Sequence, residues 1–141
     1  MKPRINFVTF GVTDMALMRG FYERLGLVAS GASNPHVTFF DANGIVLALF
    51  GYNELAEDAA VKAGPMPDFR GVGVAWNGTN ESEVDAIMAQ AVEAGAEITK
   101  KAQKVFWGGY SGYFADPEKN LWEVAYNPFM PFDERGNIQP P

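Results

Sequence analysis

Cysteine is absent from the 141-residue chain, and histidine occurs once, at His36. The first absence excludes disulfides, thiolate nucleophiles and thiolate metal sites together, in either redox compartment. The second means that one subunit cannot assemble a metal triad of two histidines and a carboxylate. Positive charge is scarce as well: 11 Lys and Arg face 17 Asp and Glu, for a net charge of -6 at pH 7. Such a balance repels a phosphate backbone. The one local concentration of bases, Lys100, Lys101 and Lys104, follows Glu93 and Glu97 and has no interleaved aromatics. It reads as a solvated strand edge, and no nucleic acid is expected as a partner. No apolar run reaches the roughly 18 residues of a membrane span, and the opening MKPRINFVTFGVTD is broken by polar residues too early for a secretory core. The expectations are no membrane partner and a cytoplasmic location.

What is present is a globular composition, 48% hydrophobic and 20% charged, at a length that fits one domain of roughly 150 residues. Within it one pattern occurs twice, as expected of a pseudo-symmetric pair of modules. In the first copy, Ile5 to Val12 alternates as a strand, with Val8, Phe10 and Val12 on one face and Ile5, Phe7, Thr9 and Gly11 on the other. Thr13 or Asp14 caps a helix with the apolar stripe Leu17, Met18, Phe21 and Leu25, and Gly26 ends it. His36 to Phe40, a tight turn at Asp41-Ala42-Asn43-Gly44 and Ile45 to Phe50 then form a hairpin. Residues 53–68 read as a polar, partly helical connector closed by Gly64, Pro65 and Pro67.

The second copy opens at Gly71 to Trp76, with Val72, Val74 and Trp76 opposite Gly71, Gly73 and Ala75. Asn80 and Glu83 have capping-box spacing for a helix with the stripe Val84, Ile87, Met88, Ala91 and Val92, closed by Gly95. A strand near Glu97 to Lys101, the stretch FWGGYSGYF, a turn over residues 116–120 and a last strand from Leu121 to Tyr126 complete it. The tail NPFMPFDERGNIQPP holds Phe129, Met130 and Phe132, which call for cover by a partner subunit.

Several motifs carry little chemistry. Gly109-Tyr110-Ser111-Gly112 lacks nucleophile-elbow spacing, and His36, the sole imidazole, opens a strand in the other copy. Gly71-Val72-Gly73 lacks the third glycine and the acidic residue of a dinucleotide fingerprint. His36 reads as a surface histidine, and Asp116-Pro117 as a structural turn.

FVTFGVTD followed by a helix ending in FYERLGL, and above all FADPEKNLWEV, which matches the pattern FxDPxGNxxEL closely, resemble the glyoxalase/bleomycin-resistance/extradiol-dioxygenase superfamily, the vicinal oxygen chelate fold, over nearly the whole chain. The resemblance implies an α+β fold of two βαβββ modules, forming a pseudo-symmetric curved mixed sheet with helices outside and a cleft inside. It divides residues 1–141, as a single glyoxalase-like domain, into module one (1–52), the connector, module two (69–127) and a tail (128–141), and it implies a homodimer. In metal-using members a divalent ion is held by the first and last strands of each module. The matching positions here are Phe7, Gly71, Ala48 and Glu123, and only the last carries a ligating side chain. Since a catalytic zinc site keeps three protein ligands, neither a metal nor another cofactor is expected.

The remaining cavity-facing positions describe a pocket for a small, partly planar organic ligand: Phe7, Thr9, Ala48, Gly71 and Gly73, with Trp107 and Tyr110 as flat walls. The alternative is that the glycines relieve crowding and the aromatics are core. Glu123, between Trp122 and Val124, is the candidate catalytic residue, as a general base or a cation acceptor; its alternative is a structural pair with a base such as Arg70 or Lys104. Three functions stand: binding of an aromatic or cationic compound in a metal-free cavity, a lyase, isomerase or dioxygenase of the same fold, and a non-catalytic dimerisation module. Whether the chain is an enzyme is left open by the residues alone.

Overall fold

In the computed structural model, which describes residues 1–141, alternation makes Phe7–Val12 the first strand, β1, with Phe10 and Val12 buried and Phe7 and Thr9 exposed. The strand begins two residues later than expected, and Ile5 stays 70% exposed. Asp14 then accepts a hydrogen bond from the Leu17 N–H at 3.0 Å and caps α1, Met15–Leu25, which Gly26 closes at φ 112. The buried stripe is Met18, Phe21, Tyr22 and Leu25, whereas Leu17 is exposed. That set has i, i+3, i+4, i+7 spacing from Met18, and Leu17 lies one residue, about 100°, off it. The Tyr22 ring anchors the stripe, packing on Phe21, Phe40 and Phe10.

Strands β2 (Val37–Asp41) and β3 (Val46–Gly51) form the expected hairpin. Ala42 N–H donates to the Ile45 carbonyl at 2.9 Å, and Asn43 (φ 58) and Gly44 (φ 113) supply the paired positive φ angles of a tight hairpin turn. Sheet order is β1-β3-β2, with β1 parallel to β3 and the row Thr9, Ala48, Phe39 running across it. A fourth strand after α1 is reduced to the single bridge Ala29 to Phe40. Between them, Ser30 and Asn34 side chains bind the nearby N–H groups of Ala32 and His36, offering the backbone a local alternative to a ladder. The connector opens with α2, Tyr52–Asp58, directly after β3.

Residues Met1–Arg70 and Gly71–Pro141 form two compact units. The second carries β4 (Gly73–Asn77), α3 (Glu81–Ala94), β5 (Glu97–Lys104), β6 (Tyr110–Ala115) and β7 (Leu121–Tyr126). The cap of α3 departs slightly from the expected box. Asn80 accepts from the Glu83 N–H at 2.9 Å, but the Glu83 carboxylate reaches past Asn80 to the Thr79 N–H at 2.6 Å, and bonding to Thr79 holds it below the usual carboxylate range. The helix buries Val84, Ile87, Met88, Ala91 and Ala94, while Val92 is 51% exposed. Val92 lies about 100° from the centre of that stripe and Ala94 about 60°, so the last turn turns alanine inward.

The sheet order is β4-β7-β6-β5, with β4 parallel to β7. Trp122 and Phe114, stacked at 5.9 Å and 5°, share the helix-facing side with Val124. Strand β5 runs three residues beyond its expected end, through two register shifts. No helix is long and apolar enough to cross a membrane.

Candidate functional site

Register in the second sheet assembles a chemical row from residues far apart in sequence. Strand β4 sets Ala75 opposite Glu123, β6 sets Tyr113 opposite Glu123, and β5 sets Lys100 opposite Tyr113. Because side chains alternate along a strand, Glu123 and Tyr113 project from the face opposite Trp122, Phe114 and α3. On that face lies a cleft of about 320 Å³, within the range of small-molecule sites. Lys100, Gln103 and Lys104 of β5 form one wall, with Ser111, Tyr113 and Glu123 along the floor.

The remaining wall is aromatic and is made by the loop between β5 and β6. Two backbone hydrogen bonds, Val105 N–H to the Gly109 carbonyl and Gly108 N–H to the Val105 carbonyl, both 3.0 Å, close it. Phe106 is fully exposed at its tip, and Trp107 folds back over Gly109. A Cβ on Gly109 would collide with the Trp107 ring and stand 2.6 Å from the Tyr126 carbonyl oxygen. The glycine is therefore a condition of the aromatic wall.

Glu123 is half-buried, and its partner is a phenol rather than a base. Burial, then the charge of Glu123, then a hydrogen bond to that carboxylate push the Tyr113 phenol above its ordinary value. Tyr113 thus stays protonated and donates to Glu123. A carboxylate has about four acceptor positions, so capacity remains for a second donor. Neither Lys100 nor Lys104 pairs with Glu123 or with any other acid.

Of the residues expected at a site, Glu123 and Trp107 are brought together here. Tyr110 is not: alternation turns it to the helix side, where its hydroxyl donates to Asp85 at 2.7 Å. Tyr113, three residues on and facing Glu123, takes its place. Gly71 precedes β4, exposed at φ 69, and Gly73 pairs with Leu121, so the β4 residue level with Glu123 is Ala75. Phe7, Thr9 and Ala48 belong to the first unit. Phe7 is 55% exposed and meets Phe39 edge-on at 6.3 Å, Thr9 is exposed, and Ala48 is buried between them in the row. His36 is exposed at the mouth of β2.

Tyr113, Ser111 and Gln103 escaped sequence reasoning, and Lys100 and Lys104, expected on a solvated strand edge with Lys104 also a possible partner of Glu123, instead line the cleft unpaired with an acid. The available signal for Tyr113 was alternation through GYSGYF, counted back from the 116–120 turn; the lysines needed the shifted β5 register.

Of Phe7, Ala48, Gly71 and Glu123, the residues that the family resemblance matches to metal-ligand positions, only Glu123 has a side chain able to ligate a metal, and no group of three His, Asp or Glu side chains stands together to hold one.

Comparison with known proteins agrees with the fold. The chain superposes with a TM-score of 0.86, at 31% identity and over 96% of both chains, on a glyoxalase-related enzyme from Fulvimarina pelagi. A glyoxalase/bleomycin resistance protein/dioxygenase from Nocardioides gives 0.77 at 25% identity, covering 89% of this chain and 84% of that one. The lactoylglutathione lyase of Agrobacterium tumefaciens shares the fold at 22% identity and a TM-score of 0.68, over 89% and 95%. No curated protein matches the chain. The profile of the Glyoxalase/Bleomycin resistance protein/Dioxygenase superfamily matches residues 4–124, and the chain belongs to that superfamily.

Proposed function

We propose that the chain binds a small, partly aromatic organic molecule in the cleft of its second unit, with Glu123 as the group that orients or deprotonates it. The observation that carries this reading is the juxtaposition, in one cleft of about 320 Å³, of an aromatic wall with a carboxylate whose partner is a neutral phenol. The ring of the ligand lies against Trp107, and a donor on the ligand takes an acceptor position of Glu123 that Tyr113 leaves free. Of the aromatic and cationic characters expected for the ligand, the lining favours the first, because two ammonium groups share the cleft with one carboxylate.

A second reading is an enzyme in which Glu123 serves as general base. It draws support from the pairing with Tyr113, which sets a proton donor beside the carboxylate, and from the likeness, at 31% identity, to the glyoxalase-related enzyme from Fulvimarina pelagi.

Thermal denaturation against a panel of aromatic compounds tests the binding reading. A ligand at 100 times its Kd stabilises by about 2.7 kcal/mol. Glu123→Gln and Trp107→Ala should each weaken binding about 10-fold to 100-fold, the worth of a charge-assisted hydrogen bond or a ring contact. Equal stabilisation of all three proteins by every active compound would refute it. Turnover of a stabilising compound, lost in Glu123→Gln, would select the enzymatic reading.

A further inference from the structure

We propose that the molecule this cleft accepts is an aromatic acid: a ring with an anionic group at one end, held by Lys100 and Lys104, and a hydrogen-bond donor at the other, held by Glu123. The inference rests on the reading of the cleft as a ligand site and specifies the chemistry of its occupant.

Three features of the lining lead to it. Lys100 and Lys104 both line the cleft from β5, Lys100 in the row of Tyr113 and Glu123 and Lys104 at the level of Tyr110, and neither is paired with an acid, although the chain carries a net charge of -6. Two unpaired ammonium groups in a concave wall recruit an anion and repel a cation. Glu123 can only accept hydrogen bonds, and Tyr113 fills one of its positions, so the group that meets it must donate. Lys100 and Glu123 lie in one row with Tyr113 between them, hence two strand spacings, or roughly 10 Å, apart at the backbone. A single ring substituted at opposite ends fits that interval, and Phe106 and Trp107 offer it a flat wall. A bare hydrocarbon would leave all three charges unmatched.

Isothermal titration with three probes of one shape separates the possibilities: 4-hydroxyphenylacetate (acid and donor), phenylacetate (acid alone) and tyramine (donor and cation). The acid with the hydroxyl is expected to bind at least about tenfold more tightly than tyramine, a factor of the size that one charge-assisted contact gives. Lys100→Gln/Lys104→Gln should abolish that preference. Lys101→Gln, which removes an equal charge from the same strand outside the cleft, should not. Glu123→Gln should erase the advantage of 4-hydroxyphenylacetate over phenylacetate. Tyramine binding as tightly as the acid, in a manner dependent on Trp107 and Glu123, would overturn the acid class and leave the cleft reading intact. An equal loss in Lys101→Gln would reduce the effect to general electrostatics and overturn the inference as well. Failure of all three probes to bind overturns both readings.

Discussion

Two five-residue turns in the second unit share one hydrogen-bond network. In each, an aspartate (Asp116 or Asp133) accepts from the N–H groups two and four residues on and from the side chain of an asparagine (Asn120 or Asn137), while its own N–H donates to that asparagine's carbonyl. The fourth position is left-handed in both, Gly136 at φ 80 and Lys119 at φ 68. A side chain there costs roughly 1–2 kcal/mol, and glycine returns only about 0.4–1 kcal/mol of that through the freedom of the unfolded chain. Lys119→Gly is therefore expected to stabilise the protein by about 0.5–1 kcal/mol, raising Tm by a few degrees. An unchanged or lower Tm would contradict this account of the turn. The family pattern FxDPxGNxxEL, with glycine at this position, made the turn legible beforehand. It also made Glu123 legible, since a carboxylate between Trp122 and Val124 on an alternating strand has to leave the helix-facing side. Tyr113 and Lys100 were not legible, because their meaning depends on which residue of a neighbouring strand they face.

At the scale of elements, the helices were read best because their ends are chemically explicit. Asn80 caps α3 as expected, Asp14 rather than Thr13 caps α1, and Gly26 and Gly95 end the two helices. The hairpin at Asn43-Gly44 was equally plain. Strand β5 was not: EITKKAQK has no sustained alternation, and its bulges let it continue past Lys101. The missing strand after α1 was likewise hidden, since Ser and Asn side chains divert the backbone between Ser30 and Val37 into local bonds. The loop between β5 and β6 is the element on which the cleft depends most. Gly109→Ala would drive a methyl group into the Trp107 ring, with a cost of about 1–3 kcal/mol by analogy with overpacked cores. We expect a lower Tm together with altered tryptophan fluorescence; a variant identical to wild type in both would show that Trp107 is not held over this glycine.

For the molecule as a whole, the duplicated pattern correctly announced two related units but not how far they differ. Both sheets set their first strand parallel to their last, and the row that carries Ala75 and Glu123 in one carries Thr9 and Ala48 in the other. One copy has a carboxylate where the other has a buried methyl group. Composition alone could not reveal this, because it required aligning the copies by register. On the second unit Phe129, in the tail, stays 66% exposed. We propose that this surface is covered in a homodimer. Sedimentation at micromolar concentration should then give about twice the 15.4 kDa of one chain; a single monomeric boundary would refute it.

Strand β5 ends the sheet order of the second unit, leaving one side of its backbone free of a ladder partner within that sheet. Lysines on such a strand discourage foreign strands from docking and so guard against aggregation. On the proposed reading of the cleft, Lys100 and Lys104 thereby serve two masters: the side chains that select what enters also keep the molecule dispersed. Solubility and ligand choice cannot drift independently when both are written in the same pair of residues.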